Sequence, residues 1–140
     1  MQEKQIIEDM FCIHNSLMEH INRKVFESHG LTLNSFIPLK MISYGMTTIT
    51  QMREAYSESA ASFGQKIGKL EKLGLVVRSL HADDKRKWIF TLTKKGEETI
   101  KILDEKFSKA CLQFFSNFSS QEKGDFHTLL GQVENNLQSK

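Results

Sequence analysis

The sequence predicts a mainly α-helical chain with one small β-hairpin, an α+β fold, on three observations. The chain has 140 residues with one proline and only 8 glycines, a composition that favours helices. Apolar residues recur at helical spacing along most of its length. Two short runs rich in β-forming residues, LVVRSL and WIFTL, flank the charged segment HADDKRK, and this order is typical of a hairpin.

The first predicted helix spans roughly residues 3–28 and is too long for a small core to cover, so part of it is expected to serve a partner subunit. The start of the second helix depends on Pro38. A cap at Ser35 places Pro38 in the first turn, where its missing N–H is not needed, whereas a cap at Thr32 would kink the helix. Asn34 is a third candidate cap, and we favour the start at Ser35.

Two short helices joined by a tight turn follow. The first, over about residues 48–56, is expected to bury Ile49, Met52 and Tyr56. The second is capped by Ser59. Its predicted buried positions and its terminal left-handed glycine are Phe63, Ile67, Leu70 and Gly74. Such a pair is a helix-turn-helix, and the hairpin after it makes this a winged helix-turn-helix.

Two more helices complete the chain. Thr93 is the predicted cap of a long helix that carries apolar residues from Ile100 to Phe115. Ser119 and Glu122 form a capping box for a last helix. The apolar stripe of this last helix comprises Phe126, Leu129, Leu130, Val133 and Leu137.

Bulk composition narrows the class of protein. No apolar run is long enough to span a bilayer, and the N-terminus lacks the pattern of a signal peptide. Cys12 and Cys111 are far apart without a CxxC motif, which argues against disulfides and structural zinc and favours a reducing cytoplasm. The five histidines lack metal-site spacing, so we expect no metal and no cofactor.

Charge is concentrated in the middle of the chain. Residues 47–95 carry ten Lys or Arg against five Asp or Glu, a net +5 in a chain whose total is +2. A basic centre between acidic ends indicates a surface that faces a polyanion.

The helix capped by Ser59 has the residues that a helix entering the major groove needs. Gln65 is suited to an adenine edge and Ala61 to a thymine methyl, while the nearby polar and basic side chains suit phosphates. The predicted DNA-binding residues on this helix are Ser59, Ala61, Ser62, Gln65, Lys66 and Lys69. An ordinary amphipathic helix with a solvated polar face explains this segment alone equally well.

The residues at the hairpin tip favour DNA binding over an ordinary amphipathic helix. Lys85, Arg86 and Lys87 at a protruding wing are suited to a narrow minor groove, and Asp84 is placed to hold the Arg86 guanidinium. A charged turn that merely keeps the chain in solution is the alternative. A basic wing directly after a recognition-like helix is more specific than either feature alone.

The order of motifs resembles the MarR family of winged helix-turn-helix regulators, with LEKLGLVVR at residues 70–78, Asp84 and Arg86 in the wing, and LTKKG at residues 92–96. The resemblance implies a homodimer bound to double-stranded DNA at an inverted-repeat operator, usually as a repressor and often released by a small-molecule effector. It makes Arg86 the minor-groove arginine and Asp84 its positioning partner.

The resemblance also divides the chain, which we treat as a single domain over residues 1–140. The implied parts are dimerisation helices at 1–31 and 98–140, with the last helix's stripe in the interface, and a DNA-binding region at 32–97. A ligand pocket between them has four candidate lining residues, His14, Met18, Phe36 and Met41, although plain core is the better interpretation of each singly. For Cys12, a buried cysteine is favoured over a redox sensor.

Two other hypotheses are weighed. The chain has no GxSxG, phosphate-binding glycine loop or HExxH motif, so we do not expect an enzyme. Four residues depart from the family pattern: Arg53, Glu58, Gly64 and Gly68. These favour the alternative function, a degenerate family member that binds DNA weakly and acts through a protein partner.

Overall fold

The computed structural model describes residues 2–139. The helices are α1 (Gln2–Ile21), α2 (Leu33–Ser43), α3 (Ile49–Ala55), α4 (Ala60–Lys72), α5 (Lys94–Phe114) and α6 (Ser120–Gln138), and the strands are β1 (Val76–Leu80) and β2 (Trp88–Leu92). The predicted mainly helical fold with a small hairpin is confirmed. The chain forms two compact units, one ending at Phe107 and the other beginning at Ser108.

The first helical stretch is not one continuous α-helix as predicted. After α1 the winding changes to a π-helical turn at Asn22–Phe26 and then to a 3-10 turn at Glu27–His29. The Asn22 side-chain oxygen accepts the Leu33 N–H at 2.7 Å, which ties this irregular turn to the start of α2. Gly30 ends the segment in the left-handed conformation.

The predicted start of α2 is wrong. Thr32 is the N-cap, and it exchanges hydrogen bonds with Ser35 in a reciprocal capping box. Together with the bond from Leu33 to Asn22, the box satisfies two donors of the first turn, which favours the earlier start. The helix continues through Pro38, which is buried.

The core of the first unit lies where α2 packs on α4. Phe63, Ile67 and Leu70 are all buried there, as predicted. The Phe26 ring stacks against Phe36, with centroids 4.9 Å apart. Burying such aromatic and aliphatic side chains supplies most of the stabilisation.

The helix-turn-helix and the hairpin form close to the predicted positions. Thr48 and Ser59 cap α3 and α4 through their side chains, and Gly74 is left-handed. The strands pair antiparallel from Val76 opposite Leu92 to Leu80 opposite Trp88. The predicted burial of Tyr56 is wrong, since its extended backbone at the end of α3 takes the side chain off the buried face and leaves it exposed.

The start of α5 is fastened to the end of α4. The Thr93 hydroxyl donates to the Gly74 carbonyl at 2.6 Å, and the Lys95 ammonium donates to the Leu73 carbonyl at 2.8 Å. A Cβ at Gly96 would lie 2.2 Å from the Leu75 carbonyl oxygen, so only glycine fits this close approach. These contacts fix the C-terminal end of α4.

The capping box predicted for α6 is present, with Ser119 and Glu122 as reciprocal partners. No residue of α6 is buried. Along α1, only Ile21 is buried, while several large apolar side chains, including Ile7 and Phe11, are exposed. Within residues 2–139, no helix is long and apolar enough to cross a membrane.

Candidate nucleic-acid interface

The face of α4 opposite its buried side is short, polar and basic. Ala61, Gln65 and Lys69 are exposed along it, as is Lys72 near its end. A Cβ added at Gly64 or Gly68 would meet no neighbouring atom within 4 Å, so the backbone itself is accessible along this helix. Such a surface suits close approach to a groove.

Ser62 and Lys66, two of the predicted phosphate contacts, are engaged within the protein. The Ser62 hydroxyl donates to Glu58 Oε2 at 2.8 Å, and the Lys66 ammonium lies 2.6 Å from both Glu58 oxygens. Both side chains lie on the flank of α4 that faces the turn rather than on the most exposed face. Because Glu58 binds both side chains, it occupies part of the predicted DNA-binding site.

The turn around Glu58 is held by further contacts. Arg53 Nε donates to the Glu58 backbone carbonyl at 3.2 Å. The hydrogen bond from Lys66 lowers the pKa of the Glu58 carboxyl, a second bond from Ser62 adds to this effect, and partial burial opposes it. Glu58 and Arg53, two of the residues that depart from the family pattern, thus stabilise the helix-turn-helix together.

The wing presents Arg86 at its tip. Arg86 Nε donates to Asp84 Oδ1 at 3.1 Å, and the Arg86 side chain is 90% exposed. The Arg86 backbone N–H donates to the same Asp84 oxygen at 3.1 Å. These bonds lower the pKa of the Asp84 carboxyl, so the carboxylate stays ionised and the guanidinium is held on the outside of the wing.

His81 supports the wing tip, a role that its sequence position did not reveal. Its Nδ1 accepts the backbone N–H groups of Asp83 and Asp84, each at 3.1 Å. The backbone His81 N–H also donates to the Lys87 carbonyl at 2.9 Å and closes the loop.

Arg78 on β1 lies over aromatic side chains of β2. Its guanidinium lies 5.1 Å from the Trp88 ring centroid and 5.4 Å from that of Phe90. Arg78 Nε donates to Glu71 at 2.8 Å, and these hydrogen bonds raise the pKa of Arg78 against the effect of burial. Arg78 therefore joins the hairpin to α4.

Fewer cations of residues 47–95 are available to a polyanion than the composition indicates. Lys66, Arg78 and Arg86 pair with acids, and Lys95 binds the end of α4. Four lysines on α4 and the wing form no ion pair within the described part of the chain: Lys69, Lys72, Lys85 and Lys87. These four, together with exposed Arg86, form the positive surface available to a polyanion.

A hollow of about 190 Å³ lies between the start of α3 and the wing. Thr48, Ile49 and Thr50 line one side, and the end of the wing lines the other. Its basic members are Arg86 and Lys87. The charge of the hollow therefore comes from the wing, and the lining residues of α3 are uncharged.

The predicted pocket residues are not alike in their surroundings. Phe36 and Met41 are buried in the first unit, Met18 is half-buried, and His14 is exposed on α1. Their role in binding a ligand stays a prediction. Within residues 2–139, no group of three or more His, Cys, Asp or Glu is arranged to hold a metal ion.

The predicted interface residues on α6 are accessible. Leu129 is 59% exposed and Leu137 75% exposed, Phe126 and Leu130 are also exposed, and Val133 is half-buried.

The two cysteines lie in different surroundings. Cys12 is exposed on α1, so its predicted burial is wrong for the single chain. Burial raises the pKa of the Cys111 thiol, which disfavours the reactive thiolate at that position.

Comparison with known proteins supports the fold of a helix-turn-helix transcriptional regulator. No family model matches the chain. The chain is 25% identical, over 93% of its own length and 94% of the other's, to an uncharacterised helix-turn-helix transcriptional regulator of Bacillus subtilis. Such identity over nearly the full length of both chains indicates the same arrangement of elements.

Solved structures share the fold of this chain over most of its length. Crystalline MarR is similar over 96% of this chain and 98% of its own, with a TM-score of 0.79 at 17% identity. This chain has the MarR fold. An organohalide-sensing transcriptional regulator, solved with 2,4-dichlorophenol bound, is similar to the chain with a TM-score of 0.88 at 18% identity, over 97% of this chain and 81% of that one. The predicted resemblance to MarR-type regulators is thereby confirmed.

Proposed function

We propose that this MarR-fold protein is a sequence-specific regulator of transcription that binds double-stranded DNA. The observation that carries the proposal is the pairing of Arg86 with Asp84 at the tip of an exposed wing. The Arg86 side chain is held at the tip of the wing and is 90% exposed, although Asp84 offsets part of its charge. Arginine inserted into a narrow minor groove exploits the strong negative potential there.

The recognition helix of the proposal is α4. Gln65 is exposed in its first half and has the amide that pairs with adenine in the major groove. Ala61 lies one turn earlier on the same face, and Lys69 lies one turn later, where it meets a phosphate. Base contacts from this face and the minor-groove contact from the wing together give sequence specificity.

The protein acts as a homodimer on an inverted repeat in this proposal. The exposed apolar residues of α1 and of α6 support it, because large apolar patches on a water-soluble chain mark interaction surfaces. Two-fold symmetry then requires half-sites about 10–10.5 bp apart, or a multiple of that spacing. The proposal includes repression of transcription and release from DNA by a small-molecule effector, which follow the general behaviour of the MarR family. It also includes a cytoplasmic location and no enzymatic activity.

Selection of bound duplexes from a random pool tests the proposal, followed by affinity measurements across salt concentrations. A palindromic motif, with affinity that falls steeply as salt rises, is expected. An absence of any enriched motif, with affinity that barely changes with salt, would remove DNA recognition from consideration.

A second candidate function rests on the Glu58 contacts. Because Glu58 engages both Ser62 and Lys66, part of the predicted phosphate-binding set is already neutralised. A protein that binds DNA weakly and acts through a protein partner fits that observation. Retention of a specific protein by the full chain, combined with weak DNA binding that shows no motif, would favour this candidate.

A further inference from the structure

The turn between α3 and α4 places a carboxylate within the predicted DNA-binding surface. Glu58 directly precedes Ser59, the N-cap of α4. Its two oxygens take the Lys66 ammonium at 2.6 Å and the Ser62 hydroxyl at 2.8 Å. A lysine and a hydroxyl near the N-terminal end of a recognition helix are the donors that a DNA phosphate would use.

We propose that the Glu58 carboxylate occupies a phosphate-binding position in this protein's own DNA-binding surface and thereby limits its affinity for double-stranded DNA. The inference rests on the proposed DNA-binding function. Glu58 is then a residue that sets the affinity of the site and not only a part of the turn.

The chemistry of the carboxylate matches that of a phosphate oxygen pair. Both are anionic acceptors that take charge-assisted bonds from an ammonium and a further bond from a hydroxyl. The side chains of Glu58 and Lys66 are only 24% and 21% exposed, so water and salt screen their attraction less than at a fully exposed pair. DNA must therefore break or share this pair to reach Lys66.

The turn does not depend on the carboxylate for its shape. Arg53 Nε holds the backbone carbonyl of Glu58. The Ser59 hydroxyl accepts the Ser62 N–H at 3.1 Å and caps α4 by itself. Replacement of Glu58 by glutamine keeps one carbonyl oxygen that can accept from Ser62 and removes the charge that holds Lys66, so this variant is expected to fold.

Salt dependence gives a readout that a purely structural role would not change. Each phosphate neutralised by a lysine steepens the fall of log affinity with log salt by about 0.9. Lys66 paired with Glu58 contributes little to this slope, whereas Lys66 released by the loss of the carboxylate contributes in full. A change that only loosened the turn would weaken binding without steepening the slope.

The experiment measures binding of a labelled duplex by fluorescence anisotropy between about 50 and 200 mM salt. Glu58→Gln is expected to bind about tenfold more tightly at the low-salt end, with a slope steeper by about 0.9. Glu54→Gln is the matched control, because Glu54 lies exposed on neighbouring α3 and forms no ion pair within the described residues. It removes the same charge without releasing Lys66.

Lys66→Met, made in both backgrounds, assigns the gain to that side chain. We expect it to weaken wild-type binding, because Glu58 is left without its cation, and to cancel the gain of Glu58→Gln. Unchanged or weaker binding by a folded Glu58→Gln, or an equal gain in Glu54→Gln, overturns the inference. If wild type binds and Arg86→Ala weakens it, the proposed function survives that result; if no variant shows salt-dependent binding, both fail.

Discussion

Asp84 Oδ1 accepts two hydrogen bonds from Arg86, one from its backbone N–H and one from its guanidinium Nε, each at 3.1 Å. The two bonds fix both the start and the end of the Arg86 side chain. The Arg86 side chain then loses less conformational entropy when the wing binds a ligand, which favours binding. The wing is thus organised before contact.

Replacement of Arg86 by alanine is expected to weaken DNA binding by more than tenfold. The change removes the exposed cation at the wing tip and the contact proposed for the minor groove. Affinity for a selected duplex, measured at one fixed salt concentration, checks the prediction. Lys101→Ala, a change of an exposed lysine on α5, is the control, and an unchanged affinity for the Arg86 variant as a folded dimer would rule out the wing assignment.

Replacement of Gln65 by alanine is expected to weaken the preferred site by roughly 1–3 kcal/mol and random DNA much less, because a bidentate base contact carries sequence information. Lys69→Ala is the matched comparison on the same face of α4. As a phosphate contact, Lys69 should affect all sequences alike and reduce the salt slope by about 1. Equal losses on both DNAs for the Gln65 variant would mean that Gln65 does not contact a base.

Gly96→Ala is expected to destabilise the protein by about 1–3 kcal/mol, because the added methyl group overlaps the Leu75 carbonyl oxygen. Gly64→Ala is the matched control in open space, and it should stabilise α4 by up to about 1 kcal/mol. Urea unfolding of both variants measures the difference. Opposite signs are required, and destabilisation by both changes would contradict the close approach at Gly96.

The stability of the protein is expected to depend on Glu58 below about pH 4. The bond from Lys66 lowers the pKa of Glu58 in the folded chain, so the ionised form favours folding. This stabilisation is present above the ordinary glutamate pKa of about 4.3 and is lost as the pH falls through the lower folded value. The free energy of unfolding should therefore fall more steeply with acid in wild type than in Glu58→Gln, and parallel curves would show that the ion pair contributes nothing.

Truncation after Ser119 is expected to abolish the dimer, since it removes the exposed stripe of α6. Leu130→Glu tests the same surface in a full-length chain, because a carboxylate within an apolar interface is costly to bury. Asn135→Glu, on the opposite side of α6, is the control. Light scattering reports the mass, and a truncated or Leu130 variant that is still dimeric would place the interface elsewhere.

The positions of α4 and of the hairpin were predictable because local signals specify them. Ser59 and Gly74 mark the two ends of α4, and a hydroxyl cap or a left-handed glycine acts within one turn of its own position. The hairpin has short runs of β-forming residues on both sides of one charged loop. In each case the residues that decide the structure are close together in the chain.

Contacts between residues far apart in the chain could not be predicted, because they depend on the angle at which helices meet. Glu58 and Lys66 are eight residues apart with a turn between them, and no helical spacing brings such a pair together. The same is true of Lys95 and Leu73, which meet only because α5 returns to the end of α4. The start of α2 was missed for a different reason, since the reciprocal bonds of Thr32 and Ser35 outweigh the placement of Pro38.

The fastening of Thr93 and Lys95 to the last carbonyls of α4 has a mechanical consequence. These hydrogen bonds couple the start of α5 to the residues that directly follow α4. Any tilt of that first turn is transmitted to α4, and a tilt of a few degrees moves the far end of a 13-residue helix by roughly an ångström. In the proposed function, the orientation in which α4 approaches DNA is therefore set from its C-terminal end.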